Sequence, residues 1–196
     1  MFFKTLFKPG EIFKEIAQDN PEVLPSVVKF SFLLVFMPPI FAWIGASTFG
    51  WRLGADEPIF LDSVSLVMIS FFYADAICLG FFSTVLIARW MGGTYGVEAS
   101  FNKLFAFFTV VTLPLVVGSA AHLFPHAFFN LLILIPVMIW CMNLLYRGLP
   151  IVMDIPPERG MLMSSALVGW LLVAFVSLLG LSAGLWSYGF GPNLGI

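Results

Sequence analysis

Five apolar runs, each about 20 residues long, fix what this chain can fold into. They cover roughly 26–48, 64–88, 102–122, 126–146 and 162–187, and about 20 apolar residues is the length an α-helix needs to cross the hydrocarbon of a bilayer. In lipid every backbone polar group must be satisfied within the segment, so each run reads as a helix. The third and fourth runs are separated only by the link HLFPH. They therefore read as a tight helical hairpin; a count of four spans would make that pair re-entrant, although each half has full spanning length. The composition agrees: 60% of residues are hydrophobic and 10% charged, where a soluble domain carries about 25% charge. The fold class is an all-α integral membrane protein, a five-transmembrane-helix bundle. A net charge of −2 without a basic block argues against nucleic acid as a partner. The first partner is the lipid bilayer itself.

Lys and Arg set the expected orientation, since they accumulate on the cytoplasmic side. Lys4, Lys8, Lys14, Lys29, Arg89, Lys103, Arg147 and Arg159 fall on one side of a five-span chain, and Arg52 alone falls on the other, beside Asp56, Glu57 and Asp62. The expectation is N-in and C-out. Residues 1–22 read as an N-terminal amphipathic interfacial segment, 23–190 as the membrane domain and 191–196 as an extracytoplasmic tail. Lys4 and Lys8 interrupt the first apolar residues, unlike a signal peptide. Pro9 suits a first helical position, and Ile12, Phe13 and Ile16 then share one face. Phe2, Phe3, Leu6 and Phe7 would dip into the headgroups if this helix lies on the membrane; the alternative is that it packs under the bundle.

Pro38, Pro39, Pro114 and Pro136 lie inside spans, where proline removes a backbone donor and kinks a helix. Small residues at four-residue spacing let helices approach closely. Ala76, Gly80 and Thr84, Ser165 and Gly169, and Gly180 and Gly184 are read as contacts within the chain, with a homo-oligomer through the last span as the other option. Cys78 and Cys141 lie in apolar runs and read as small core residues.

Asp75 is the one carboxylate in the middle of a span, more than ten residues from Asp62 and Arg89. An acid at the centre of a membrane helix costs about 3 kcal/mol on insertion scales. Either a partner offsets that cost or the group is neutral. Ser70, Tyr73 and Cys78 are its neighbours in sequence; Lys29, Thr109, Thr112 and Asn143 are candidate partners from elsewhere. The candidate ion, proton or polar-network site is thus Asp75 with Tyr73, Ser70 and Asn143. In a small transporter or channel Asp75 would face a hydrated cavity; in a scaffold it would be sealed among side chains. His122 and His126 flank Pro125 and are weak metal candidates, more readily read as polar residues at the interface. No HExxH, GxSxG, P-loop or intramembrane carboxylate pair is present, so no catalytic residue, cofactor or enzyme class is expected.

The loops on the basic side carry more pattern. RWMGGTYGVEASFNKLFAFFTVVTLP holds Gly92, Gly93 and Lys103. NLLYRGLPIVMDIPPERGMLMS holds Tyr146, Gly148, Pro156 and Pro157. Glycines there permit turns closed to bulkier residues, and the prolines shape a connector, either as plain turns or as a surface for a cytoplasmic protein partner. These stretches, with PGEIFKEI before the first span, resemble the Yip (Ypt-interacting protein) domain family of five-span membrane proteins, and the resemblance covers nearly the whole chain. Eukaryotic members have a long cytosolic N-terminal region with an Asp-Leu-Tyr-Gly-Pro type motif and are linked to small GTPases and membrane traffic. This chain has about 25 residues before its first span and lacks that motif. It is similar to the short bacterial branch, which implies an inner-membrane protein of poorly defined role; the expected role is non-enzymatic, in membrane organisation or in a trafficking-like or lipid-associated task.

Overall fold

A computed structural model describes residues 7–52, 54, 57–94, 96–97 and 99–188. Phe2, Phe3, Lys4, Leu6, Asp56 and the tail 191–196 lie outside the described residues. The chain forms helices α1 (Pro9–Ala17), α2 (Val23–Val28), α3 (Ser31–Phe49), α4 (Ser63–Thr94), α5 (Phe101–Gly118), α6 (Ala127–Met153) and α7 (Pro157–Ser187), with a 3-10 turn at Ser119–Leu123. Among the described residues, five stretches are long and apolar enough to cross a membrane: Val23–Phe49, Ser63–Thr94, Phe101–Leu123, Ala127–Met153 and Pro157–Leu185.

α4 and α5 start where a side chain satisfies orphan amides. The Asp62 carboxylate accepts from the backbone amides of Val64 and Ser65, both at 3.1 Å. Hydrogen bonds from the Ser65 side chain and from those amides hold the Asp62 carboxyl below its ordinary value. Ser100 accepts from the Lys103 amide at 3.2 Å and opens α5. Pro38, Pro39, Pro114, Pro136 and Pro150 all remain inside helices.

α5 is the centre. Buried residues make up 61% of its span, against 6–28% for the other four. Its own Leu104, Phe107, Phe108, Val110, Leu113 and Val116 are buried. α3, α4 and α6 all pack against it, and α7 lies across α4 and α6. At the end opposite the basic loops, Trp51, Arg52 and Ile59 are stitched down. Trp51 and Ile59 exchange backbone hydrogen bonds at 2.8 Å, Arg52 donates to the Pro125 carbonyl at 2.9 Å, and Ala127 donates to the Arg52 carbonyl at 3.0 Å. Gly50 turns the chain into this loop with φ +68°, its Cα facing Pro58 and Phe60, a backbone that L side chains adopt only under strain.

Two sequence expectations change. Gly148 and Pro150 were expected in a connector, yet α6 runs through both to Met153, and the turn falls at Asp154 with φ 51°. The small-residue stripes were expected to mark contacts within the chain. Thr84 is buried, but open space lies beside Gly80, Gly169, Gly180 and Gly184. From Leu171 to Gly180 every residue of α7 except Ala174 is exposed.

Candidate functional site

The N-terminal helix builds the first site. Ile12, Phe13 and Ile16 recur at helical spacing and are 0–2% exposed, packed on α5 and α6. The apolar face is therefore covered by the bundle. Burying each of these side chains is worth about 1.5–3 kcal/mol relative to water. The Phe13 ring lies 5.5 Å from that of Phe107. Gly148 makes this fit possible: a Cβ there would come within 2.6 Å of the Phe107 ring and 2.7 Å of Phe13.

Lys103 closes the seat. Its Nζ donates to the Ala17 carbonyl at 2.9 Å and pairs with an Asp19 oxygen at 2.9 Å. A cation at a helix C-terminus also meets the negative end of the macrodipole. The Lys103 side chain is 15% exposed and that of Asp19 55%, so the carbonyl bond is the better shielded half. We expect Lys103→Ala to cost about 1–2 kcal/mol of docking, after discounting the exposed carboxylate. Amide exchange across 9–17 should then rise about 5–30-fold; unchanged exchange would mean that the apolar face alone holds α1.

The other loop residues divide. Gly92 is helical and buried, and a Cβ there would meet the Met153 methyl at 2.6 Å and the Val97 carbonyl at 3.1 Å. Gly93 faces open space, and Gly96 makes the turn with φ +74°. The Tyr146 hydroxyl meets Ser165 Oγ at 2.9 Å, tying α6 to α7. Pro157 opens α7, and Pro156 is exposed before it.

A second polar cluster lies at the opposite end. His122 Nδ1 is 2.6 Å from Asn130 Oδ1, and His122 Nε2 is 3.1 Å from the Tyr73 hydroxyl. Asn130 Nδ2 donates to the carbonyls of Phe124 and His126. Its oxygen must therefore be the group facing His122, which makes Nδ1 the donor there and leaves Nε2 to accept from Tyr73. The chain Tyr73–His122–Asn130 links α4, the 3-10 turn and α6. Both His122 nitrogens are thus engaged. His126 Nδ1 is buried without a partner, and no group of three or more His, Cys, Asp or Glu converges on a metal site among the described residues.

The network expected around Asp75 is not assembled. Tyr73 turns to His122 instead. Asp75 is exposed, Asn143 is exposed on α6, and Ser70 is half-buried. Asp75 makes no hydrogen bond or ion pair among the described residues. Sequence reasoning missed Asn130, whose signal was a lone amide four residues into an apolar run.

The Yip1 domain family model matches residues 3–189. The chain belongs to the Yip1 domain family. The match takes in the α1 seat, the Tyr73–His122–Asn130 chain and Asp75 alike, so all three sites lie within the Yip1 domain. Inner membrane protein YohC, from two strains of Escherichia coli, is 24% identical over 190 residues, which cover 93% of this chain and 93% of that protein. No solved structure matches this Yip1 chain.

Proposed function

We propose that this Yip1 domain protein resides in the inner membrane and acts there without catalysis, by organising neighbouring lipid and protein. The name of its relative YohC supports the location. The observation that carries the role is the interior. The central helix α5 is buried through its own apolar side chains, such as Leu104, Phe107 and Leu113, and Asp75, the one carboxylate in the middle of a span, is exposed on α4. A transporter would need polar groups converging on a hydrated path. The seat of α1 and the adjoining loops offer a face for a cytoplasmic partner, given the N-in, C-out orientation that the basic residues favour. The prolines within α3, α5 and α6 are proposed to bend those helices.

The test is purified protein in sealed liposomes carrying a proton or potassium gradient. Leak should equal that of protein-free vesicles, for the natural chain and for Asp75→Asn alike. A flux that needs Asp75 would overturn the role and establish transport. Labelling with a membrane-impermeant maleimide at Ser100→Cys and Glu57→Cys tests the orientation, with only the second expected to react from outside.

A further inference from the structure

The outward placement of Asp75 leads further than either reading of it from sequence. On a helix turning 100° per residue, Asp75 stands about 180° round from Leu66 and Thr84, about 140° from Ala88 and about 80° from Val85, all of them buried. Asp75 is exposed and thus lies on the outer side of α4. It is thirteen residues past Asp62 and fourteen before Arg89, about 20 Å along the helix from either. The hydrocarbon is about 15 Å deep from either side, and a carboxylate on a single methylene reaches only a few ångströms. It cannot reach water. Around it runs an unbroken exposed apolar stripe: Val64, Met68 and Phe71 on one side, Leu79, Phe82 and Leu86 on the other. The spacing of three and four residues keeps these on one face, and they span about 33 Å, the full thickness of the hydrocarbon.

We propose that this face of α4 is the interface with a second copy of the chain, and that the two Asp75 carboxyls meet across a two-fold axis. The chemistry of Asp75 selects that occupant. A carboxyl group carrying its proton both donates and accepts, so two copies of the same residue satisfy each other, as an isologous contact requires. The described Lys, Arg and His residues lie towards the ends of the spans, so a second copy meets Asp75 with its own Asp75. Lipid tails have no group to offer it, which leaves the insertion cost uncompensated in a lone chain. The inference is independent of the proposed function, since a dimer is compatible with a sealed or a conducting bundle.

The experiment uses the full chain in lipid bilayers. In a background of Cys78→Ala and Cys141→Ala, single cysteines are placed by Phe71→Cys, Leu79→Cys and Phe82→Cys on the stripe. Leu132→Cys on α6 and Leu172→Cys on α7 are equally lipid-facing controls. Oxidation should give covalent dimers from the stripe and none from the controls. Subunit counting across a protein-to-lipid dilution series should show dimers. Asp75→Leu should weaken association about tenfold, the scale of polar contacts between membrane helices, while Asp75→Asn, whose amide also donates and accepts, should retain it. The cysteine scan keeps Asp75 intact and so stands if Asp75→Leu misfolds. A monomer at every dilution overturns the proposal. So does cross-linking through α6 or α7 in place of α4, or association only with a different protein.

Discussion

Phe13→Ala is expected to strip α1 from the bundle. Phe13 is 2% exposed, wedged between Phe107 and the bare backbone at Gly148. Removing a buried ring of this kind costs about 3–5 kcal/mol, a large loss for a helix seated through Ile12, Phe13, Ile16 and the Lys103 clamp. Proteolysis in the 18–22 link and amide exchange over 9–17 should rise by two orders of magnitude or more, with the five spans intact. Gly148→Leu attacks the same seat from below. Its side chain must enter the space that the two rings occupy, and overpacking costs about 1–3 kcal/mol. The double variant is diagnostic, because the new leucine fills the hole left by Phe13. It should be more stable than the sum of the single effects predicts. Strict additivity would mean that the two residues do not touch.

The second large effect is expected at Gly45. It sits in α3 directly against the His122 carbonyl, and a Cβ there would overlap that oxygen and lie 3.1 Å from the Leu123 carbonyl group. The obstacle is backbone, which cannot rotate aside as a side chain can. Gly45→Val should displace the 3-10 turn, pull His122 from Tyr73 and Asn130, and lower stability by about 3 kcal/mol, the upper part of the range for overpacking. Tyr73→Phe removes one hydroxyl and should cost about 1 kcal/mol. Thermal unfolding and the imidazole nitrogen resonances of His122 separate the two. Unchanged resonances in Gly45→Val would refute the close approach.

The spans were legible because hydrocarbon thickness leaves little choice of length, and α3 to α7 lie where the apolar runs place them. The start of α1 at Pro9 and its face of Ile12, Phe13 and Ile16 were legible for the same kind of reason, a clear alternation of apolar and charged residues. What covers that face was not, because headgroups and protein ask for the same side chains. The direction of Asp75 was illegible because α4 is apolar all round, so its sequence carries no stripe to say which side is inward. Gly148 was misread because glycine signals a turn when only local propensity is weighed. Here a tertiary contact uses its missing side chain, and only a partner 135 residues away reveals it. The Tyr73–His122–Asn130 chain was hidden likewise, since it joins groups scattered over three elements.

That distance along the chain also sets an order of events during synthesis. Ribosomes add about 5–20 residues per second. Phe13 therefore leaves the ribosome about 7–27 s before Gly148 does. Through that interval α1 has neither the glycine nor the Phe107 ring in its final arrangement, and its apolar face has only the membrane surface to rest on. Helix α1 is made early and is thus among the last to find its place, and its docking reports that the fourth span is complete.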